Sequence, residues 1–382
     1  MAHSFDVIVI GLGGMGSAAA YQLATRGQQV LGLEQHKPVH NYGSSHGRSR
    51  IIRQAYFEDP AYVPLLLRAY ELWEQIETET GQELLTITGG LMIGSPDSAV
   101  VAGSIRSARE HGLSNEVLDA NAIQRRFPPL QPAADLVAFY EQKAGLLYPK
   151  ATVQAHLHRA AQLGAELHFE ETVLSWDVAA SGDGVRVTTE QGSYSAEHLV
   201  IAPGAWAPGL LAELHLPLKV ERQVMYWFDP LTGIEPFSVG HFPIYIWECE
   251  DGAAFYGFPA HDGPGGGVKV ALHTSGTPCT PATINREVGA EETDRMRSYL
   301  AERIPALNNT CIHAVTCMYT NTPDKHFVIA THPRFPQVAI AAGFSGHGYK
   351  FASVVGEILA DLSLEGTTRH PINLFTPERF RG

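Results

Sequence analysis

The first 34 residues follow a pattern of apolar runs and glycines that predicts a βαβ unit. Residues 5–10 form an apolar run that ends at Gly11, which is typical of a strand buried on both faces of a parallel sheet. Residues 15–26 are rich in alanine, leucine and glutamine and stop at Gly27, as a helix does, and residues 30–34 form a second strand. A right-handed crossover makes the two strands parallel neighbours.

Later segments repeat the periodicities of helix and strand. Apolar residues at helical spacing predict helices over residues 62–79, 152–163 and 351–362. Short apolar runs predict strands over residues 89–94, 198–202 and 338–342, and a glycine-containing turn at 181–184 predicts a hairpin between strands 173–178 and 185–189. From residue 218 to residue 320, aromatic and β-branched segments between glycine and proline turns predict an antiparallel sheet.

The order of these elements predicts an α/β protein with two domains. A chain of 382 residues is well above the roughly 150 residues of one typical domain. Strands of the buried, parallel type occur near both chain ends, so we expect a discontinuous nucleotide-binding domain over residues 1–85, 146–215 and 322–382. We expect the inserted residues 86–145 and 216–321 to form a mixed, largely antiparallel-sheet domain for the substrate.

Composition and charge exclude several classes of function. Hydrophobic residues make up 45% and charged residues 18% of the chain, as in folded globular proteins. With 27 Lys and Arg against 40 Asp and Glu, the net charge of −13 gives no overall attraction for nucleic acid or an anionic membrane, so we expect neither partner. Four cysteines without a C-x-x-C pair fit neither a disulfide scaffold nor a zinc site, and no H-E-x-x-H pattern occurs, so we predict no metal.

The apolar stretch at the start of the chain has the length of a membrane-spanning helix but not its character. Residues 7–25 are uncharged, yet four glycines interrupt them and no basic segment precedes them, so we expect neither an anchor nor a signal peptide. The cysteine content favours a reducing compartment. We therefore expect a cytoplasmic protein, and we expect it to be a monomer.

A glycine motif stands between the first strand and the first helix. Gly11, Gly13 and Gly16 form G-x-G-x-x-G, in which glycines permit a tight turn and let backbone N–H groups approach a pyrophosphate. Glu34 ends the second strand 23 residues after Gly11, where a carboxylate accepts hydrogen bonds from an adenosine ribose. The combination predicts a dinucleotide, and it does not decide between FAD and NAD.

Two further motifs favour an anionic ligand. Residues 43–53 carry three arginines within six positions of an acidic protein, although a solvated basic loop is the structural alternative. Residues 343–350 (GFSGHGYK) follow a predicted strand and precede a helix, so backbone dipoles there can face a ring or a carboxylate, although the segment alone is also typical of a simple glycine turn.

Together these motifs resemble the monomeric sarcosine oxidase family. The resemblance rests on G-x-G-x-x-G, SSHG-x-SRIIR-x-AY at 44–56, CMYT-x-T-x-D at 317–324 and GFSGHG-x-K at 343–350, and it extends over essentially the whole chain. Relatives in this family are N-methyltryptophan oxidase and L-pipecolate oxidase. The resemblance implies a glutathione-reductase-like FAD-binding domain of Rossmann type. It also implies oxidation of a secondary amino acid by oxygen, with an imine and hydrogen peroxide as products.

The resemblance also implies roles for individual residues. Cys317 falls on the cysteine that bonds the flavin covalently, and Arg53 and Lys350 fall on the pair that grips the substrate carboxylate. Lys269 lies, by this comparison, where oxygen reacts, and His273 faces the substrate. Further assignments are Tyr256 in the active site, His46 and Arg50 against the flavin, and cofactor contacts at Ser45, Val173, Gly204, Gly346, Gly348 and Lys350.

Physical chemistry supports these assignments independently. Electron transfer to a flavin leaves negative charge that the cations Arg50 and Lys269 would stabilise in a site screened from water. Arginine can hold a carboxylate through two parallel hydrogen bonds. The same positive charges disfavour the ammonium form of a bound amine, and the oxidation needs the nitrogen lone pair.

Several alternatives remain open at this point. Cys317 also fits a buried structural cysteine, and Lys269 also fits a solvated lysine on an edge strand. Arg48 stands where the bacterial sarcosine enzymes commonly carry an acid, and residues 245–247 differ from them, so the substrate side chain is not specified. The alternative functions are a flavin dehydrogenase, a flavin subunit of a larger assembly, and tRNA modification, which the net charge of −13 disfavours.

Overall fold

A computed structural model of the protein describes residues 4–179, 182, 184–263, 265–273 and 276–381. The strands, in chain order, are β1 (Ser4–Ile10), β2 (Val30–Glu34), β3 (Arg50–Ile52), β4 (Leu85–Ile87), β5 (Gly90–Gly94), β6 (Glu116–Asp119), β7 (Val137–Glu141), β8 (Gly145–Leu147), β9 (Glu166–Phe169), β10 (Val173–Val178), β11 (Val185–Thr189), β12 (Ser193–Ile201), β13 (Lys219–Phe228), β14 (Ile244–Glu248), β15 (Ala254–Gly257), β16 (Val268–Leu272), β17 (Thr277–Pro278), β18 (Cys311–Asn321), β19 (Val328–His332) and β20 (Phe335–Ala342). The α-helices are α1 (Gly14–Thr25), α2 (Val63–Thr80), α3 (Ala99–His111), α4 (Ala120–Arg126), α5 (Pro149–Gln162), α6 (Ala207–Leu210), α7 (Ala290–Arg303) and α8 (Ala352–Glu365).

The first sheet carries the glycine turn and is covered on both faces. Its order is β10-β11-β12-β1-β2-β9, with β20 beside β12 and β19 beside β20. Strands β20, β12, β1, β2 and β9 run parallel, so the predicted βαβ unit is confirmed. Val7 and Val9 pack with the helices α1, α2, α5 and α8, whereas Ile8 and Ile10 enter a second core on the other face. Burial on both faces is the reason that β1 is apolar at successive positions.

The second sheet is mixed and supplies one wall of the candidate site. Its order is β17-β13-β16-β15-β14-β5-β7-β6, with β18 beside β13. Its neighbouring strands pair antiparallel except β5 and β14, which are parallel. Tyr226 and Phe228 of β13 face the core under α7, while Met225 and Trp227 face the opposite side together with Cys317 of β18. The period-two alternation of β13 therefore separates core residues from site residues.

The predicted elements agree with the structure except in the less apolar segments. The hairpin strands β10 and β11 pair antiparallel, although the predicted turn at 181–184 lies partly outside the described residues. The prediction of sheet throughout 218–320 is wrong at α7, because this helix is largely charged and buries only Met296 and Leu300. Helices α3 and α4 and strands β6 and β7 also had no sequence prediction.

The third sheet is small and has three strands. It consists of β3, β8 and β4, and these strands adjoin the predicted domain boundaries near residues 85 and 145. Strands of the first sheet come from residues 4–34, 166–201 and 328–342, and strands of the second come from 90–141 and 219–321. We propose the boundaries 1–85, 146–215 and 322–382 for the cofactor domain and 86–145 and 216–321 for the substrate domain.

The described residues include neither a candidate membrane helix nor a disulfide bond. In the described part of the chain, no helix combines the length and the apolar character required to cross a lipid bilayer. All four cysteines, at positions 249, 279, 311 and 317, are free thiols.

Candidate active site

The carboxyl ends of the parallel strands open into a cavity of about 470 Å³, which we name the larger cavity. Its walls include the turn after β1, the end of β2, residues 202–206 after β12 and the turn after β20. Ligands of open α/β sheets bind in this position, outside the carboxyl ends of the strands. The larger cavity is therefore the candidate cofactor site.

Close packing requires glycine in the turn between β1 and α1. Gly11 has a φ of +85°, and a Cβ on Gly16 would lie 1.8 Å from the carbonyl oxygen of Gly11. Gly11 and Gly13 line the larger cavity, whereas Gly16 lies outside its lining, where α1 meets β1. The turn leaves the N-terminus of α1 open to the cavity, where the helix dipole favours an anion such as a pyrophosphate.

Glu34 ends β2 at the wall of the larger cavity. Its carboxylate accepts hydrogen bonds from the backbone N–H groups of Leu12 at 3.0 Å and His36 at 3.1 Å, and the His40 ring lies 3.4 Å away. Burial alone would raise the pKa of this carboxyl, but His40 and the two backbone N–H groups bring it below its usual value. Glu34 is therefore an ionised acceptor at the position predicted for a ribose contact.

Segment 44–50 runs along the larger cavity and holds two of the predicted residues on its wall. The Ser45 hydroxyl accepts a hydrogen bond from the backbone N–H of Gly14 at 3.0 Å. Arg50 donates to the carbonyl oxygens of Ser44 at 2.7 Å and Ser49 at 2.8 Å. These bonds fix the guanidinium of Arg50 at the point where the larger cavity meets a second one.

His46 lies behind this wall and not in the cavity lining. Its side chain is 2% exposed, and its Nε2 atom has no hydrogen-bond partner among the described residues. Burial, together with the nearby charges of Arg50 and Lys269, lowers the pKa of His46 to about 3, so the ring is neutral.

The remaining predicted cofactor contacts come from distant parts of the chain. Val173 of β10 and Gly204 after β12 line the larger cavity, and so do Gly346 and Gly348 between β20 and α8. Lys350, which the sequence also assigned to the cofactor, lines the second cavity and not the larger one.

A second cavity of about 70 Å³, the smaller cavity, adjoins the larger one. Arg53, Lys350, His273 and Tyr256 all line it. Residues that belong to both linings form the junction between the cavities: Arg50, Cys317, Tyr319, Gly346 and Tyr349. The fold thus brings the predicted substrate residues together directly beside the predicted cofactor site.

Arg53 is the most constrained charge of the smaller cavity. It is 1% exposed, and its guanidinium lies 4.2 Å from the ring centroids of both Tyr56 and Phe57. It donates to the Ala55 carbonyl at 2.5 Å and to the Glu58 carboxylate at 2.5 Å, while its Nε has no partner among the described residues. Burial would raise the pKa of Glu58, but Arg53 and its neighbours lower it to about 2, so this acid is ionised.

Lys350 supplies the second cation, from the turn before α8. Its side chain is buried, which lowers the pKa of the ammonium to about 7, and the nearby charge of Arg53 acts in the same direction. The smaller cavity therefore contains two arginines, Arg50 and Arg53, and one lysine that titrates near neutrality.

His273, Tyr256 and Tyr319 form a second group of side chains in the lining of the smaller cavity. The His273 Nδ1 atom lies 3.5 Å from the Tyr319 hydroxyl, and the rings of His273 and Tyr256 are 6.4 Å apart. Burial lowers the pKa of His273 and raises that of Tyr256, so both side chains are neutral at physiological pH. These side chains can exchange hydrogen bonds without adding charge.

Cys317 lies at the junction of the two cavities. It is 3% exposed, and its sulfur lies 3.8 Å from a guanidinium nitrogen of Arg50. On β18 it pairs with Gln223 of β13, and it packs against Met225 and Trp227. The fold therefore places the Cys317 sulfur where both cavities can be reached.

Lys269 lies behind segment 44–50 and lines neither cavity. It is 1% exposed on β16, a central strand between β13 and β15, so the alternative of a solvated lysine on an edge strand is wrong. Its ammonium donates to the carbonyl oxygens of Gly47 at 2.7 Å and Ser49 at 2.6 Å. Burial lowers the pKa of Lys269 well below its usual value, and Arg50 lowers it further.

Arg48 stands in the sequence between Gly47 and Ser49, whose carbonyl groups accept hydrogen bonds from Lys269. Its side chain binds groups outside this loop. It donates to Asp262 at 3.0 Å and to the Gly266 carbonyl at 3.1 Å, and it lies 4.9 Å from the Trp227 ring centroid. Its φ of +69° is unusual for a residue other than glycine. Arg48 therefore stabilises the turn that holds Lys269.

Sequence reasoning missed several residues of the site. Tyr319 and His347 line the smaller cavity, and Tyr56 contacts Arg53 behind it. All three stand inside the quoted motifs, so the motifs themselves were the signal that could have identified them. Glu58 stands just outside a motif and carries no pattern that marks it. In the described part of the chain, no group of three or more His, Cys, Asp or Glu side chains is placed to hold a metal ion.

Comparison with known proteins identifies relatives of the chain. Residues 6–362 match the family described as FAD dependent oxidoreductase. The chain is 58% identical over 380 residues to the monomeric sarcosine oxidase of Streptomyces avermitilis, which covers 99% of this chain and 98% of that protein. It is 33% identical over 382 residues to the N-methyl-L-tryptophan oxidase of Salmonella enteritidis, which covers 98% and 99% of the two chains.

A solved structure shows the same fold. NikD, described as an unusual amino acid oxidase essential for nikkomycin biosynthesis, superposes with a TM-score of 0.85 at 26% identity. The superposition covers 98% of each chain. The fold class expected from the sequence is therefore confirmed.

Proposed function

The chain belongs to the FAD dependent oxidoreductase family and to the monomeric sarcosine oxidases within it, and from that premise we propose that it oxidises a small secondary amino acid with oxygen. The products are an imine and hydrogen peroxide. One observation carries the proposal: a cavity with a buried arginine and a buried lysine adjoins a larger cavity built on a dinucleotide-binding turn. The protein is an FAD-dependent amine oxidoreductase.

The residues of the larger cavity fit FAD. The turn at Gly11 and Gly13 offers the N-terminus of α1 to the pyrophosphate, and ionised Glu34 can accept from the ribose hydroxyls. His46, with a buried and unpartnered Nε2 among the described residues, has an unused hydrogen-bonding atom behind the cavity wall. Bound FAD would accept the electrons removed from the carbon–nitrogen bond of the substrate.

The smaller cavity supports a substrate with a carboxylate. Arg53 and Lys350 would bind that group, which favours amino acids over simple amines. The cavity of about 70 Å³ favours a short side chain, as in sarcosine, over a large one. Positive charge around the site, from Arg50, Arg53 and Lys350, favours the unprotonated amine that the oxidation requires.

We predict that the flavin is attached covalently to Cys317, because this thiol lies at the junction of the two cavities beside Arg50. After acid precipitation of the purified holoenzyme, the yellow colour should stay with the polypeptide. A Cys317→Ser variant should bind FAD and release it into the supernatant. Quantitative release of flavin from the wild-type protein would contradict the covalent bond.

The proposed activity is tested by measuring peroxide. We expect the purified chain to form hydrogen peroxide with sarcosine or another small N-methyl or cyclic amino acid, in a panel that includes N-methyltryptophan, L-pipecolate and L-proline. Turnover with an artificial electron acceptor but not with oxygen would indicate a dehydrogenase. Turnover only in the presence of further subunits would indicate part of a larger assembly, whereas we propose a monomer.

A further inference from the structure

We propose that Tyr56 and His347 are positioning residues for Lys350, because their hydrogen bonds hold its side chain as a charged donor at the edge of the smaller cavity. Neither residue lines the larger cavity, and Tyr56 lines neither. The inference rests on the proposed function, since it assumes that Lys350 and Arg53 bind a substrate carboxylate.

The hydrogen-bond geometry fixes the protons of this pair. The Nε2 atom of His347 lies 2.9 Å from the Lys325 carbonyl oxygen, which can only accept, so Nε2 carries the hydrogen. Burial lowers the pKa of His347 to about 3, so its ring is neutral and Nδ1 must accept. The Tyr56 hydroxyl, 2.5 Å from Nδ1, therefore donates to His347.

With its hydrogen directed to His347, the Tyr56 hydroxyl can accept a hydrogen bond from the Lys350 ammonium. The Lys350 ammonium donates to the backbone carbonyl of His347 at 2.7 Å, and it lies 3.5 Å from the Tyr56 hydroxyl oxygen. Because the hydroxyl hydrogen is directed to His347, the lone pairs of the Tyr56 oxygen are available to the ammonium. Two of the three N–H bonds of Lys350 then have acceptors, and the third remains for the cavity.

Tyr56 also contacts the other cation of the site. Its ring centroid lies 4.2 Å from the Arg53 guanidinium and 5.1 Å from the Lys350 ammonium. The side chain is fully buried, with 0% exposure. A single tyrosine side chain thus contacts both groups that would bind the carboxylate.

The charged groups around Lys350 nearly balance, so the hydrogen bond to Tyr56 can decide whether the amine is protonated. Burial and Arg53 disfavour its ammonium form, whereas Glu58 favours it, and the resulting pKa is about 7. Among the other titratable groups around Lys350, His273, His347, Tyr56 and Tyr62 are neutral, and Arg50 is a further cation at the junction with the larger cavity. Removing one acceptor is therefore enough to favour the neutral amine near physiological pH.

The test is the pH dependence of carboxylate binding to the holoenzyme. Calorimetry with acetate between pH 6 and pH 9 should show wild-type affinity that falls as Lys350 loses its proton above about pH 7. In Tyr56→Phe, which keeps the ring, this fall should begin about one pH unit lower and leave the affinity about tenfold weaker at pH 8. At pH 6 the difference should be much smaller.

A matched control separates positioning from packing. Tyr62→Phe removes another buried hydroxyl of the same cluster, one that bonds His326 at 3.0 Å and does not contact Lys350, so its pH profile should stay that of the wild type. His347→Leu removes the acceptor of the Tyr56 hydroxyl and should shift the profile in the same direction as Tyr56→Phe. It also provides a second variant if Tyr56→Phe does not fold.

The outcomes distinguish this inference from the proposed function. An unshifted profile in Tyr56→Phe and His347→Leu, with a profile in Lys350→Met that no longer changes near pH 7, would overturn the positioning role alone. An equal shift in Tyr62→Phe would also overturn it, because it would show a general effect of packing. If Lys350→Met binds acetate like the wild type at every pH, the carboxylate site itself is wrong.

Discussion

Replacing Lys269 with methionine should slow the reoxidation of the reduced holoenzyme by oxygen by orders of magnitude, while anaerobic reduction by substrate changes much less. The first electron that reaches oxygen produces superoxide, an anion, and a buried cation lowers the barrier to that step. Each factor of ten in rate corresponds to about 1.4 kcal/mol of barrier. Two hydrogen bonds to carbonyl groups of segment 44–50 favour the ammonium form of Lys269 against the effect of burial, and they make Lys269 our candidate for this cation.

Stopped-flow spectroscopy measures the two half-reactions separately. Lys219→Met is the matched control, because Lys219 is an exposed cation at the start of β13 in the same sheet, whereas Lys269 is buried. We expect both half-reactions of that variant to be normal. If Lys269→Met reoxidises at the wild-type rate, Lys269 has no oxygen role, and the preference for an oxidase over a dehydrogenase loses its main residue-level support.

Replacing Arg53 with methionine should weaken substrate binding by one to two orders of magnitude. A charge-assisted hydrogen bond contributes roughly 1.5–3 kcal/mol, and each 1.4 kcal/mol is about tenfold in affinity. Arg53 is held between the rings of Tyr56 and Phe57, so its donors are already oriented before a ligand arrives. Steady-state kinetics and calorimetry with a simple carboxylate inhibitor should show parallel losses.

A charge-conserving variant separates the contribution of the positive charge from that of the paired hydrogen bonds. Arg53→Lys keeps the positive charge but cannot form two parallel hydrogen bonds, so it should recover only part of the affinity. Unchanged binding of both substrate and inhibitor in Arg53→Met would move the carboxylate site elsewhere. It would also make a decarboxylated amine the better substrate hypothesis.

Much of the fold could be predicted from local sequence because burial imposes simple periodicities. Strand β1 is apolar at successive positions since both of its faces are covered, and the glycine turn after it allows one close packing arrangement. Helix α7 was not predicted, because only two of its residues, Met296 and Leu300, are buried. A helix held by so few contacts leaves almost no hydrophobic periodicity in its sequence.

Residues of the site could be predicted only where they belong to a recognised sequence motif. Arg53, Cys317 and Lys350 stand in such motifs, and the fold places all three on the smaller cavity. The assignments of their roles stay predictions until the variants are measured. Glu58 could not be found, because its importance arises from a contact with Arg53 that appears only when the segment folds back on itself.

The ion pair between Arg53 and Glu58 means that the protein carries its own competitor for the substrate. Before any ligand arrives, an ionised carboxylate from the chain already occupies a donor of the arginine that we assign to the substrate. A weakly bound anion from solution gains little by displacing it, because one carboxylate contact is exchanged for another. Only a ligand with additional contacts, such as those with Lys350 and the Tyr256 side of the cavity, gains enough to displace Glu58. An anion that contacts Arg53 alone is thereby disfavoured, whereas a carboxylate that also reaches Lys350 can still bind.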